Sequence, residues 1–153
     1  MKLALMVLSS VGLLALVGGL VLHQRAPTPA ALLEAAANGD SLAVHNALER
    51  DTPVETMDGW HGTPLMYAAG NGHDPVVREL LARGASVNRP GRLGRTPLMW
   101  AAYSGHLTTV RLLLSHGART DLIDARGESV EQLAIHSGNM EILKELRGRY
   151  LRQ

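Results

Sequence analysis

The sequence predicts an all-α fold: a solenoid of about four helix–turn–helix units joined by hairpin loops, preceded by one hydrophobic helix. Three observations carry this expectation. The chain matches itself when slid by 33 residues, a period that signals stacked supersecondary units. Each copy opens on a helix-start signal and closes on glycine, around a short pattern rich in Ala and Leu. One uninterrupted apolar run, Leu3–Leu22, stands apart at the N-terminus.

That run reads LALMVLSSVGLLALVGGLVL and holds no charge. As a helix it would span about 30 Å, the hydrocarbon thickness of a bilayer. Lys2 and the amino terminus precede it, and Arg25 is the only charge close behind, an asymmetry that favours export of the remainder of the chain. A cleavable signal peptide usually has a shorter apolar region, roughly 7–15 residues, ending at a small-x-small site. Val17-Gly18-Gly19 and Thr28-Pro29-Ala30 are poor sites of that kind. Residues 1–25 are therefore read as a signal anchor, with a signal peptide as the alternative. Residues 26–29 form a linker, and Thr28-Pro29 resembles an N-cap followed by proline at the first helical position.

The repeat domain is expected over residues 30–153, with units at about 30–62, 63–95, 96–128 and 129–153. Thr63-Pro64-Leu65-Met66 falls on Thr96-Pro97-Leu98-Met99, and Gly72-His73 falls on Gly105-His106. Earlier, Ala35-Ala36 and Asn38-Gly39 fall on Ala68-Ala69 and Asn71-Gly72. Later, Gly127, Ala134 and Gly138 fall on Gly94, Ala101 and Gly105. In the central units Thr caps the first helix, Pro opens it, and Gly72 or Gly105 ends it in a left-handed turn. The second helices are expected at about Pro75–Arg83, with Asp74 as N-cap, and at Thr108–Ser115, ended by Gly84 and Gly117. The first helices should bury Leu65, Ala68, Ala69, Leu98, Ala101 and Ala102. The second should bury Val77, Leu80, Leu81, Val110, Leu113 and Leu114. Helices this short are not stable alone in water, so only stacking of neighbours covers these faces. In the last unit Ser129 and Gln132 have capping-box spacing.

TPLMYAAGNGH (63–73) and TPLMWAAYSGH (96–106) resemble the signature of the ankyrin repeat family, and the likeness extends over about Ala30–Gln153. Departures from the family pattern are specific. Met66 and Met99 replace its usual His. His61 stands where Gly94 and Gly127 stand later, which predicts a different shape for the first hairpin. Asp51 replaces Gly84. Val130-Glu131 and Arg147 replace Pro97-Leu98 and Leu114, as suits a terminal unit that shows one face to water.

The resemblance implies a fold that binds other proteins on a concave face made of hairpin tips and exposed first-helix positions. Carried over by position, that face holds Gly59, Trp60 and Gly62, then Arg92, Leu93 and Arg95, then Ala125, Arg126 and Glu128 on the hairpins. On the first helices it holds Tyr67, Gly70 and Asn71, then Trp100, Tyr103 and Ser104, then His136 and Ser137. Aromatic residues and Arg often carry interface energy, so Trp60, Arg92, Arg95 and Tyr103 are the leading contacts. Tyr67 and Trp100 have a second reading, as fillers between neighbouring first helices.

Chemistry is absent at the motif level. There is no Walker loop, GxSxG, HExxH or phosphate-cradling GxGxxG, and no cysteine. No two of the seven histidines have i,i+3 or i,i+4 spacing, and His73, His106 and His116 read as structural or surface residues. No carboxylate pair has a general acid–base reading. The sequence thus points to a non-catalytic protein without cofactor or metal. Charge is uneven. Residues 89–126 hold six arginines (89, 92, 95, 111, 119 and 126) against two aspartates, a net of +4, whereas residues 26–88 hold three arginines against eight acids, a net of −5. A formal charge of +1 overall is too small to argue for nucleic acid, which is not expected as a partner.

The resulting expectation is a monomeric, exported and membrane-tethered module, similar to small bacterial periplasmic ankyrin proteins. It would bind another protein through Trp60, Tyr67, Asn71, Arg92, Leu93, Arg95, Trp100, Tyr103, Ser104, Arg126 and His136. The membrane contact would be Leu3–Leu22 if that run is uncleaved. The alternative is an inhibitor or immunity protein whose arginines meet an acidic cleft.

Overall fold

The computed structural model describes residues 28–150. They form eight α-helices in four antiparallel pairs: α1 (Pro29–Asn38) with α2 (Ser41–Glu49), α3 (Pro64–Gly70) with α4 (Asp74–Ala82), α5 (Pro97–Ser104) with α6 (Leu107–Ser115), and α7 (Val130–His136) with α8 (Met140–Tyr150). Each first helix packs on the next, α1 on α3 on α5 on α7, and the second helices follow in parallel with looser contact. Among the described residues there is no β-strand, only an isolated antiparallel bridge between Ile123 and Ser129. No described helix is long and apolar enough to cross a membrane. The hydrophobic helix expected over Leu3–Leu22 lies outside the described residues.

Side-chain size explains why the first helices pack more closely than the second. The first helices meet through Ala35, Ala36, Ala68, Ala69, Ala101, Ala102 and Ala134, all buried, and alanine brings helix axes close. The second helices meet through larger groups: Val44, Val77, Leu80, Val110, Leu113, Ile142 and Leu146 are all fully buried. Of the core expected from sequence, only Leu81 is partly exposed; Val76 takes its place inside.

Thr28, Thr63 and Thr96 cap α1, α3 and α5 through their hydroxyls, and Ser129 with Gln132 closes a reciprocal capping box on α7. The second helices of the two central units begin differently from the expectation. The N-caps of α4 and α6 are His73 and His106, with no side-chain cap bond, and Asp74 sits one residue inside α4. The reason is tertiary. The Asp74 carboxylate accepts a 2.5 Å hydrogen bond from the Thr109 hydroxyl of the next unit, so it ties units together while still adding negative charge to a helix N-terminus.

The recurring histidines are unit-to-unit rivets. His73 Nε2–H donates to Ala37 O at 2.9 Å, and His106 Nε2–H donates to Gly70 O at 3.1 Å. A carbonyl only accepts, so both rings carry the proton on Nε2. The His106 ring lies over Gly72, whose φ is +73° and where an added Cβ would come within 2.5 Å of Nδ1. Gly72→Ala is therefore expected to cost about 2 kcal/mol, from the left-handed backbone and the displaced rivet together. A denaturant midpoint checks it.

The hairpins depart from expectation in an instructive way. Asp58 and Asp124 occupy equivalent positions, and each closes its loop identically. Asp58 Oδ1 accepts from the N–H groups of Trp60 and Gly62, both at 2.8 Å. Asp124 Oδ1 accepts from Arg126 and Glu128 at 2.8 and 3.0 Å. His61 adopts φ +58°, in the same left-handed region as Gly94 and Gly127, so the first hairpin is not the odd one. The middle hairpin is. Gly91 stands where the aspartate would be, and a Cβ there would lie 2.6 Å from Met66 Sδ. The thioether thus occupies the space that a side chain at 91 would need. Asp51, in place of glycine, likewise takes φ +60°, a conformation that Asp tolerates better than most residues.

Candidate functional site

A groove of about 650 Å³ runs between the hairpin tips and the first helices. Trp60, Arg92, Leu93 and Arg126 line it from three successive hairpins. Tyr67, Trp100 and Ser104 line it from α3 and α5 and Asn71 from the C-cap of α3, together with Gly62, Met66 and Gly70. Eight of the eleven contact residues expected from sequence are therefore brought to one groove.

The remaining three are elsewhere. His136 is not in the lining; its Nδ1 lies 3.0 Å from Glu128 Oε1. Tyr103 is exposed but off the groove. Arg95 differs most from the outward hairpin residue that its position suggested, because it is buried. Its side chain is 9 % exposed, and its Nε–H donates to Asp124 Oδ2 at 3.1 Å, with Glu128 3.5 Å from Nη2. Its guanidinium carbon lies 5.3 Å from the Trp100 ring centre and 5.2 Å from that of Tyr103, within cation–π range. One cation thus steadies two aromatic side chains and ties hairpin two to hairpin three. Ala125 N–H adds a 2.7 Å bond to Leu93 O along the same seam.

Tyr67 lines the groove, and its ring packs against Gly62 of the hairpin that precedes its helix, where a Cβ would come within 2.8 Å of it. Its hydroxyl donates to Asp58 Oδ2. That bond, then burial, pushes the Tyr67 hydroxyl above its ordinary value. Burial alone would raise the Asp58 carboxyl, but the Tyr67 hydroxyl and the N–H groups of Gly62 and Trp60 outweigh it, so Asp58 stays below the usual carboxylate range. Sequence reasoning does not identify Asp58 and Met66 as groove-builders. Asp58 is visible in principle as one of two aspartates at matching repeat positions; Met66 reads only as a replaced histidine.

Arg92 stacks flat on Trp60, its guanidinium carbon 3.9 Å from the ring centre. Beside it Leu93 holds φ +63°, a costly conformation for a branched side chain, and is 42 % exposed. Strain of this kind gathers at binding sites. Leu93→Gly is expected to raise stability by about 0.5–1 kcal/mol, the left-handed cost less glycine's extra entropy. Chemical denaturation measures it.

The basic stretch resolves into internal pairs. Arg89 meets Glu55 at 2.8 Å, Arg95 meets Asp124, Arg111 meets Glu145 at 2.8 Å, and Arg119 meets Asp121 at 2.6 Å. Of the six arginines, only Arg92 and Arg126 have no carboxylate within 4 Å among the described residues, and both line the groove. No group of three or more described His, Asp or Glu residues converges on a metal-sized site.

Residues 32–124, more than half of the chain, match the family described as ankyrin repeats (3 copies). Comparison with curated proteins finds no match.

Proposed function

Because the chain belongs to the ankyrin repeat family, whose folds generally act as protein–protein interaction modules, we propose that it binds a partner protein in the groove between its hairpin tips and first helices. The observation that carries this is the groove's lining: aromatic and arginine side chains converge there beside the strained Leu93, and Trp, Tyr and Arg are the residue types that most often dominate interface energy. Repeat-to-repeat contacts already satisfy the alanine and leucine faces; the aromatic tips are left over. The domain acts as a monomer and without catalysis of its own.

The uninterrupted apolar run Leu3–Leu22 supports placing this domain on the exported side of a membrane, in a bacterial periplasm, with the run retained as the tether. Intact-mass measurement of the mature protein checks the tether. A chain beginning after residue 25 would refute it and leave export standing.

A photo-crosslinking amino acid placed at Trp100 or Leu93 tests the groove in cells, with Arg78 on α4 as the outside position. Partner adducts are expected from the two groove positions and not from Arg78. Trp60→Ala together with Trp100→Ala should cut partner recovery at least about tenfold, a hot-spot-sized loss, with a folded spectrum retained. Equal adducts from all three positions would sink the proposal.

A further inference from the structure

Resting on the groove as the partner site, we propose that its occupant is an extended segment of the partner in which two carboxylate side chains flank one apolar side chain. Four of the six arginines in residues 89–126 are paired with carboxylates, and the two that have none within 4 Å among the described residues, Arg92 and Arg126, sit on successive hairpin tips of the same groove. Arg92 is already ordered by its stacking on Trp60. A partner that covers a guanidinium without supplying negative charge takes on its desolvation cost; a carboxylate instead meets the donor fork in a charge-assisted hydrogen bond.

The two walls differ in chemistry. Arg92 and Arg126 stand on the hairpin wall, whereas the helix wall offers Met66, Tyr67 and Trp100. An extended chain advances about 3.3 Å per residue and sends successive side chains to opposite sides. Residues i and i+2 thus face one wall roughly 6.6 Å apart, and packed neighbouring helices stand about 8–10 Å apart. Side-chain length closes that difference. The residue between them faces the other wall, where an apolar side chain meets the thioether and rings. Single-stranded nucleic acid would also combine anions with stacking. Among the described residues, however, only two cations without a paired carboxylate line the groove, and a string of phosphates would leave most of its charge unmatched.

The experiment uses the full chain held in mild non-ionic detergent and end-blocked fluorescent hexapeptides, read by anisotropy. The dicarboxylate probe has Asp-Leu-Asp at its centre; the diamide probe has Asn-Leu-Asn. The first should bind at least about tenfold more tightly, and added salt should shrink the difference. Arg92→Gln and Arg126→Gln should each remove most of that preference, Arg92→Lys should retain part of it, and Arg78→Gln on α4 should leave it intact. An unblocked peptide whose single acid is its C-terminal carboxylate should bind more weakly than the dicarboxylate probe. Four results would each overturn the proposal: no advantage of the dicarboxylate over the diamide (absence of both included), equal loss from Arg78→Gln, equal or tighter binding of the C-terminal probe, and tighter binding of an eight-nucleotide thymidylate strand. If any of these occurs while the Trp100 crosslinks persist, the groove reading survives and only its occupant's chemistry is refuted.

Discussion

Asp124→Ala is expected to destabilise the protein by about 3–5 kcal/mol, the loss typical when one member of a buried ion pair is removed. The Asp124 side chain is fully buried and Arg95 nearly so. Asp124 also accepts the backbone N–H groups of Arg126 and Glu128 with Oδ1, so the substitution opens the third hairpin and strands the Arg95 cation at once. Glu128, 3.5 Å from Arg95 on the other side, recovers only part. Chemical denaturation measures the change, with Asp121→Ala as the contrast. Asp121 pairs with Arg119 on the exposed surface, and its loss should leave the midpoint nearly unmoved.

The same carboxylate makes a pH prediction. Burial alone would raise the Asp124 carboxyl, but the N–H groups of Glu128 and Arg126 and the Arg95 guanidinium together hold it below its ordinary value. The folded form therefore binds this proton less readily than the unfolded form, whose value is about 3.9. The stabilisation is complete above that pH and disappears as pH falls through the lower folded value. The wild type should thus lose stability below about pH 4 more steeply than Asp124→Ala. Parallel pH profiles of the two proteins would exclude Asp124 as a source of acid sensitivity.

Leu113→Ala should cost roughly 2–5 kcal/mol, as buried leucines do when a cavity is left behind. Leu113 is fully buried in α6, and Leu80 and Leu146 are fully buried at the equivalent places one unit before and after. The three form a row along the stack. Removing the middle one weakens two interfaces, because α6 contacts both α4 and α8. In a stack held by nearest-neighbour contacts, a large loss there should also decrease the steepness of unfolding if the outer units separate. A negligible midpoint shift would contradict the packing of α6.

Much of the architecture was legible because its signals are local. Thr-Pro before a helix and glycine after it act within a few residues, and Thr63, Thr96 and Ser129 cap where their spacing says they should. The 33-residue period aligned the buried alanines and leucines without any knowledge of distance. Even the groove was largely readable, since residues that vary at equivalent positions are those the stack does not use.

What sequence by itself determined, then, is the repeat, its caps, its core rows and the identity of most groove residues. Only the tertiary structure decided how charge is distributed among them. Arg95 and Arg126 both read as hairpin cations, yet one is buried against Asp124 and the other lines the groove with no carboxylate within 4 Å among the described residues. Asp74 read as a cap and became a link to Thr109; Met66 fills the space that Gly91 leaves open. The physical reason is common to all of them. Each pairing joins residues far apart in the chain, and a Coulomb or van der Waals contact depends on separation in space, which the order of residues along the chain does not contain.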